Sequence, residues 1–130
     1  MVVVDASVLA PALADDGPDG DTARASLGGQ SLAAPELIDL EVASVLRRLA
    51  RAGRLDPRRT SYALADLADL PLRRVRHRLL VARCWELRAN VTIYDASYVA
   101  VAELLGAVLL TADARLHRAP GLRCPVELIR

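Results

Sequence analysis

Apolar residues are arranged along this chain in two ways, as short runs and as longer stretches in which they recur every three or four positions. The run VVVD at residues 2–5 is apolar and β-branched up to its last position, which is typical of a strand buried on both faces. We predict four further strands, at SLAAP (31–35), LRRVRH (72–77), AVLLT (107–111) and CPVELIR (124–130). Strands separated by helices predict an α/β fold with a mostly parallel central sheet.

The helices are indicated by their periodicity and by capping residues at their ends. The first is predicted over residues 7–16, with Ser7 as its N-cap and Pro11 in its first turn. The segment DGPDG at 16–20 is predicted to be a loop, and Asp56 is predicted to be the N-cap of a later helix. Further helices are predicted over residues 21–29, 36–52, 55–70, 78–89 and 92–106, with a helical turn over 112–119.

Length and composition limit the class of protein. A chain of 130 residues that is 53% hydrophobic, with a mean hydropathy of +0.24, can bury one core, so we expect one domain over residues 1–130. No apolar run approaches the roughly 20 residues of a membrane-spanning helix, and no export signal is visible. Two scattered cysteines, Cys84 and Cys124, suit neither a disulfide framework nor a zinc site. We therefore expect a cytoplasmic protein with reduced thiols.

The net charge of +1 conceals an uneven distribution. Residues 1–46 contain eight acids and one arginine, whereas residues 47–92 contain twelve arginines and four acids. An acidic region beside a basic one is a plausible arrangement for holding a metal ion and a polyanion together. The arginine-rich segments at 47–59 and 73–78 are candidates for contacts with an RNA backbone. The alternative is that these arginines only solvate helix surfaces. All basic residues of the chain are arginine, and such a compositional bias needs no functional explanation.

Three aspartates stand where predicted strands or helices begin or end. Asp5 ends the first strand, Asp113 follows VLLT, and Asp95 opens a helix that is otherwise almost entirely apolar. Ligands of an open parallel sheet bind beyond the carboxyl ends of its strands, so Asp5 and Asp113 are expected at one edge. Each acid also has a structural alternative, because Asp is a good N-cap and Thr92 could form a capping box with Asp95.

Glu41 is the acid that is hardest to explain structurally. It lies in the middle of a helix and shares a face with Leu37, Ile38 and Val45. An ionised carboxylate on an apolar face is costly unless it is paired or binds a cation. The alternatives for Glu41 are therefore an arginine partner or a position at the edge of a site.

Together, Asp5, Glu41, Asp95 and Asp113 suggest a metal site. Neither histidine of the chain is placed to act as a base, and clustered carboxylates repel one another unless a cation lies between them. Oxygen ligands without a Cys or His set favour Mg²⁺ or Mn²⁺. Such sites commonly bind phosphate and activate water for attack on phosphorus, which predicts phosphodiester hydrolysis.

The motifs VVVDAS, a mid-helix Glu41, NVTIYDASYVAVAE and LLTAD resemble those of the PIN-domain ribonucleases, in the same order. The closest likeness is to the VapC-type toxins of toxin–antitoxin pairs, and it covers nearly the whole chain. Residues 90–103 are its most specific part. The resemblance implies a PIN-like three-layer α/β/α sandwich with a mostly parallel sheet of four to five strands.

The resemblance also implies roles for individual residues. Asp5, Glu41, Asp95 and Asp113 match the acidic cluster of the family, which binds Mg²⁺ or Mn²⁺ and carries out catalysis. Three further residues match supporting positions of the family. Ser7 and Thr111 match small hydroxyl residues that support the carboxylates or touch a phosphate, and Asn90 matches a position where such toxins often have asparagine. Residues 114–117 lack the further acid of some PIN domains, so a second metal ion would be weakly held.

The activity implied is endonucleolytic hydrolysis of RNA, often tRNA or rRNA, in which water attacks phosphorus and leaves a 5′-phosphate and a 3′-hydroxyl. The partners implied are the RNA and a cognate VapB-type antitoxin whose C-terminal segment blocks the site. Members of the family are commonly homodimers, which predicts a heterotetramer or larger assembly with the antitoxin.

Two other functions are compatible with parts of the sequence. A catalytically silent PIN-like binding module would keep the fold without needing all four acids. A metal-dependent phosphatase with an aspartate nucleophile usually has a second acid two residues later, where this chain has Ser7. The histidines, His77 and His117, are predicted to be surface residues, and Trp85 is predicted to be core, with a partner surface as its alternative.

Overall fold

Five short parallel strands form one sheet in this computed structural model, which describes all 130 residues. They are β1 (Val2–Val4), β2 (Leu32–Pro35), β3 (Leu72–Val75), β4 (Val108–Thr111) and β5 (Val126–Leu128). The order across the sheet is β3-β2-β1-β4-β5, and every neighbouring pair is parallel. The sequence prediction of a parallel five-stranded sheet is therefore confirmed.

Seven helices connect these strands. They are α1 (Ala6–Ala14), α2 (Pro18–Leu27), α3 (Ile38–Arg51), α4 (Pro57–Asp69), α5 (Val81–Glu86), α6 (Ile93–Leu105) and α7 (Ala114–Arg118), with a 3₁₀ turn at His77–Leu79 before α5. The path from β1 to β3 moves in one direction across the sheet, and the path from β3 to β5 moves in the other. Because parallel crossovers are right-handed, α1–α4 cover one face and α5–α7 the other, which confirms the three-layer α/β/α sandwich.

The position at which this direction reverses lies between β1 and β4. Val2, Val3 and Val4 of β1 pair with residues 108–110 of β4, so the two strands end side by side. Such a reversal leaves a crevice at the carboxyl ends of the strands, because the helices that follow them lie on opposite faces of the sheet. The residues that directly follow β1 and β4 are therefore placed together at this crevice.

The core is one continuous apolar cluster. All of β1 and β2 is buried, and α6 contacts three strands, β1, β2 and β4. The nearly all-apolar sequence of α6 follows from this position, because seven successive residues, 96–102, are buried. No helix is long and apolar enough to cross a membrane, and both cysteines are free thiols.

The first helix begins two residues earlier than predicted, with a different N-cap. Asp5, not Ser7, is the N-cap, since its carboxylate accepts a hydrogen bond from the Ser7 backbone N–H. The helix thus begins at Ala6, and Pro11 lies inside it rather than in its first turn. Both residue types are good caps, so the sequence alone does not choose between them.

The segment predicted to be a loop at 16–20 is largely helical. Helix α2 begins at Pro18, where a missing backbone N–H has no cost, and Gly17 is its N-cap. Gly20 permits this geometry because a Cβ there would lie 1.8 Å from the Asp15 carbonyl oxygen. The glycines that indicated a loop instead allow two helices to approach closely.

The prediction that Trp85 is core is wrong. The expected helix over 78–89 divides into the 3₁₀ turn and the short helix α5, which buries Cys84 and leaves the adjacent Trp85 61% exposed. The Arg88 guanidinium lies over the Trp85 ring, 4.5 Å from its centroid. Both histidines are exposed, as predicted.

Candidate active site

The crevice between β1 and β4 is a cleft of about 460 Å³ that contains all four candidate acids. Its lining residues are Asp5, Ala6, Ser7, Glu41, Ser44, Val45, Arg48, Asp95, Tyr98 and Asp113. The acids come from four different elements, because β1, α3, α6 and the turn after β4 all reach this edge of the sheet. Side chains that are distant in sequence thus share one cleft.

Asp5 is the most buried of the four acids, with 7% of its surface exposed. One carboxylate oxygen, Oδ1, accepts hydrogen bonds from the Ser7 backbone N–H at 3.0 Å and from Ser7 Oγ at 2.5 Å. The other, Oδ2, accepts a hydrogen bond from Thr111 Oγ1 at 2.6 Å. Each oxygen is therefore held by a neighbour, and the side chain is fixed in one orientation.

The hydroxyls of Ser7 and Thr111 are themselves oriented by the backbone after β4. Ser7 Oγ accepts a hydrogen bond from the Ala112 N–H at 2.8 Å, and Thr111 Oγ1 accepts one from the Asp113 N–H at 3.1 Å. Since each hydroxyl already accepts from the backbone, its own proton points at Asp5. This network ties the end of β1 to the end of β4 and explains physically why the two hydroxyl positions support the carboxylate.

Burial raises the pKa of Asp5 from 3.8 to about 6. The hydrogen bonds from Ser7 and Thr111 lower this pKa in part, and the nearby charge of Asp95 raises it further. No arginine forms an ion pair with Asp5. The ionised form of Asp5 at neutral pH is thus buried without a protein counter-charge.

Asp95 occupies the first turn of α6. Thr92 is the N-cap of this helix, and its Oγ1 accepts a hydrogen bond from the Asp95 backbone N–H at 3.0 Å. Only one half of the predicted capping box is therefore present, because Thr92 caps the Asp95 backbone N–H while the Asp95 carboxylate lines the cleft. Burial, followed by the charge of Asp113, raises the pKa of the Asp95 carboxyl, although Thr92 and Arg115 act in the opposite direction.

Asp113 is the N-cap of α7. Its Oδ1 accepts a hydrogen bond from the Arg115 backbone N–H at 2.8 Å. The Arg115 guanidinium is 3.8 Å from the same oxygen, which is the only ion pair made by any of the four acids, and that arginine side chain is 89% exposed. An ion pair this open to solvent does little to neutralise the cleft.

Glu41 lies in the first turn of α3 and lines the cleft, which is the second of the two alternatives that the sequence allowed, a position at the edge of a site. No arginine pairs with it; instead the hydroxyl of Tyr98 donates a hydrogen bond to Glu41 Oε1 at 2.5 Å. Tyr98 is 1% exposed, and burial, followed by its bond to Glu41, raises the pKa of its phenol. This tyrosine was not among the predicted site residues; its signal was a position one turn after Asp95 in a helix that is otherwise almost entirely apolar.

Removing the Tyr98 hydroxyl is expected to destabilise the fold moderately. Tyr98→Phe keeps the buried ring but deletes a hydrogen bond to a charged group, so the free energy of unfolding should fall by about 1–2 kcal/mol in urea denaturation. Tyr62→Phe is the matched control, because Tyr62 is 52% exposed and only accepts from Arg58. An equal loss in both variants would show that the Tyr98–Glu41 bond contributes nothing specific.

Asn90 does not line this cleft. Its side-chain amide donates a hydrogen bond to the Pro120 carbonyl at 3.0 Å and so holds the turn at Pro120 and Gly121. It also lines an adjacent cleft of about 420 Å³ that shares Asp95 and Asp113 with the first. The structure therefore places Asn90 near the acids as a residue that positions the loop after α7.

The chemistry of the cleft suits a hard divalent cation, although its present geometry is not that of a finished metal site. All candidate ligands are carboxylate or hydroxyl oxygens, which Mg²⁺ and Mn²⁺ prefer. No group of three or more acidic, His or Cys side chains is already close enough together to hold an ion. Ligation would therefore require Glu41, Asp95 or Asp113 to rotate towards the centre of the cleft, since Asp5 is already fixed by its hydrogen bonds. The residues fit the ion in type and in charge.

Comparison with known proteins identifies the family. The family model described as PIN domain matches residues 2–122. Ribonuclease VapC9 of Mycobacterium tuberculosis is 43% identical to this chain over 129 residues, which cover 99% of this chain and 98% of the relative. The chain belongs to the VapC ribonucleases of the PIN-domain family.

Solved structures agree with the fold of this VapC-type chain. VapC20 of Mycobacterium tuberculosis, described as a sarcin–ricin loop cleaving toxin, superposes with a TM-score of 0.73 at 19% identity over 100% of both chains. A chain of a toxin–antitoxin complex from Klebsiella pneumoniae superposes with a TM-score of 0.59 at 16% identity, covering 91% of each chain. At these identities the superpositions show that the fold is shared.

Proposed function

We propose that this endoribonuclease, the toxin of a toxin–antitoxin pair, hydrolyses RNA in a Mg²⁺- or Mn²⁺-dependent reaction at the cleft lined by Asp5, Glu41, Asp95 and Asp113. The observation that carries the proposal is that four carboxylates line one cleft and that only one of them, Asp113, forms an ion pair, with the exposed Arg115. Such an uncompensated set is stable only with a bound cation or with raised pKa values, and Asp5 has the latter. Residues 1–130 would form one PIN domain.

The chain's own residues supply orientation in this reaction. A divalent ion bound here would polarise the scissile phosphate and make water more nucleophilic. Asp5 is fixed by Ser7 and Thr111, so its oxygens need no reorganisation when RNA arrives. Water adds its oxygen to phosphorus, the bond from phosphorus to the 3′ oxygen breaks, and a proton passes to that 3′ oxygen. The products are a 5′-phosphate and a 3′-hydroxyl.

A direct test is the cleavage of labelled RNA with and without the metal. Cleavage is expected with Mn²⁺ or Mg²⁺ and is expected to stop when EDTA is in excess, because no histidine lines the cleft to replace metal-assisted chemistry. The new 5′ ends should accept ligation directly, as 5′-phosphates do. Full activity in EDTA, or products that end in a 2′,3′-cyclic phosphate, would contradict the metal-assisted attack of water.

A protein antitoxin is the partner of this toxin, and we propose that it is of the VapB type, with a segment that covers the acidic cleft. We further propose a homodimer and, with the antitoxin, a heterotetramer or larger assembly. Several large apolar side chains outside the core support such contacts, because they are more than 45% exposed: Leu40, Leu79, Val81, Trp85, Ile93 and Tyr94. Since RNA is the substrate, for which we propose tRNA or rRNA, we place its action in the cytoplasm.

The two alternative functions find less support in the site. A phosphatase would use an aspartate as nucleophile, but both oxygens of Asp5 accept hydrogen bonds, from Ser7 and Thr111, which makes them poor nucleophiles. A silent binding module would have no need of a buried carboxylate without a counter-charge, because such a group lowers stability. A purified, unmodified protein that binds the antitoxin but cleaves no RNA would favour the silent binding module.

A further inference from the structure

Asp95 and Asp113 form a wall between two clefts. Both residues line the acidic cleft and also the adjacent cleft of about 420 Å³ described with Asn90. The lining of this second cleft is Arg88, Ala89, Asn90, Val91, Thr92, Asp95, Asp113, Arg115 and Leu116. A polymer that passes from one cleft into the other must therefore cross Asp95 and Asp113.

Arg48 is the only basic residue that lines the acidic cleft. It lies on α3 seven residues after Glu41, so the two side chains share a helix face and are separated by roughly 10 Å along the axis. Arg48 is exposed and forms no ion pair, although four acids line the same cleft. Its guanidinium is thus available to an anion outside the protein.

The second cleft has its own arginines on the other side of the wall. Arg88 forms no ion pair; it donates a hydrogen bond to the Trp85 carbonyl at 2.8 Å and lies over the Trp85 ring. Arg115, which is 89% exposed, approaches only Asp113. The exposed ring of Trp85 lies against Arg88, and an aromatic ring next to an arginine is the combination that single-stranded RNA binders use for bases and phosphates.

We infer that the two clefts form one track for a single-stranded segment of RNA, with phosphates bound by Arg48 on one side and by Arg88 and Arg115 on the other. The bond to be cut then lies over the wall of Asp95 and Asp113. Four carboxylates repel a polyanion, so cations on both sides are needed to hold the strand across them. Guanidinium groups bind phosphate oxygens in a bidentate manner, and an aromatic face accepts only an unpaired base. This inference rests on the proposed function, because it takes RNA as the substrate.

The track is tested first by kinetics. Arg48→Gln and Arg88→Gln should each raise KM for a labelled single-stranded RNA roughly tenfold, with kcat changed less than about twofold. The slope of log affinity against log salt should fall by about 0.7 for each variant, as expected for the loss of one phosphate contact to a single strand. The matched control is Arg118→Gln, since Arg118 is exposed, forms no ion pair, lines neither cleft and lies outside the arginine-rich segments 47–59 and 73–78.

Strand length provides a second measurement. In an Asp5→Asn background, which prevents cleavage, affinity for uridine oligonucleotides should rise with length until the strand reaches both sides of the wall. With Arg48→Gln or Arg88→Gln added, the affinity should stop rising at a shorter length. Arg48 or Arg88 variants that behave like Arg118→Gln, that lower kcat without raising KM, or that reach their plateau at the original length would overturn the track. If the unmodified protein cuts no RNA, the proposed function fails instead.

Discussion

Replacing Asp5 by asparagine is expected to abolish RNA cleavage while leaving the chain folded. The asparagine side chain would keep the shape and the N-cap of α1, since Asn and Asp cap helices about equally well. The substitution would remove the charge that holds the cation and that no other group at the end of β1 supplies. We expect kcat/KM to fall by about a thousandfold or more, which corresponds to roughly 4 kcal/mol of lost transition-state stabilisation.

The measurement is cleavage of labelled RNA under single-turnover conditions, with circular dichroism and gel filtration to show that the variant is folded. Asp66→Asn is the matched control, because Asp66 is an exposed acid on α4 that makes no ion pair. The control should cleave at the rate of the unmodified chain. Cleavage that survives in Asp5→Asn would place the reaction at another site or in a contaminant.

The same substitution is expected to stabilise the metal-free protein. The folded state of the unmodified chain binds the Asp5 proton more tightly than the unfolded state does, because burial raises its pKa from 3.8 to about 6. Stability is therefore lost as the pH rises through this window, by about 2–3 kcal/mol in full, and the loss is complete above pH 6. Asparagine does not ionise, so Asp5→Asn escapes this loss.

Urea denaturation in EDTA at several pH values tests this sign. At pH 7 the variant should be the more stable protein, and the difference should shrink between pH 6 and pH 4, as Asp5 becomes protonated in the folded state and then in the unfolded state. The amide of asparagine has one acceptor oxygen, for Ser7, and its NH2 group would donate to Thr111 Oγ1, so the substitution also loses the hydrogen bond that Thr111 donates to Asp5. That loss is the same at every pH, so a stability difference between the two proteins that does not change between pH 4 and pH 7 would show that burial does not penalise this carboxylate.

Added Mn²⁺ is expected to raise the melting temperature of the unmodified protein far more than that of Asp95→Asn. An ion that binds only the folded state at about 100 times its Kd stabilises that state by about 2.7 kcal/mol, which is on the order of 10 °C for a domain of this size. Asp95 presents its carboxylate to the cleft while its backbone N–H is capped by Thr92, so the substitution removes a ligand without uncapping α6.

Differential scanning fluorimetry over a series of Mn²⁺ concentrations measures this effect independently of RNA. Asp66→Asn again serves as the control and should show the full shift. We expect less than half of the shift in Asp95→Asn and less still when Asp5→Asn is added. Equal shifts in all these proteins would exclude Asp95 as a ligand, and the proposal of a metal site at this cleft would then have to be abandoned.

The parallel sheet and the position of the acids could be predicted because both follow from local patterns. The apolar, β-branched run at 2–4 is typical of a buried strand, and β4 at 108–111 is similarly apolar. Parallel strands share the direction of their carboxyl ends, so Asp5 and Asp113 had to lie at one edge of the sheet. Asp5 and Asp113 are each the N-cap of a helix and also line the cleft, so the structural and the functional interpretation of these acids are both correct.

The details of the site could not be predicted, since they depend on contacts between distant residues. The partner of Glu41 is Tyr98, 57 positions away, and no pattern along the chain indicates which of many polar groups will reach it. The family resemblance named the hydroxyls of Ser7 and Thr111 as supports of the carboxylates, but no local pattern indicates that these two hydroxyls, 104 positions apart, approach each other. Arg48 had no distinguishing signal among its neighbouring arginines until the helix placed it in the cleft.

The errors have local causes. The prediction for residues 16–20 took glycine and proline as signs of a loop, but Gly20 is required by the close approach of α2 to Asp15. The prediction for Trp85 followed its residue type, whereas α5 has only 6 residues and buries only Cys84. In both cases the residue type was interpreted without the tertiary contact that decides its role.

The hydrogen bonds that fix Asp5 have a consequence for the life of the toxin. Because the charge can be removed while the cap, the hydroxyl network and the outer surface remain, a single nucleotide change could yield a harmless copy with an unaltered exterior. Such a copy would still sequester the antitoxin. A cell that carried the inactive copy beside an intact toxin gene would have less free antitoxin, so the inactive copy could increase the toxicity of the active toxin.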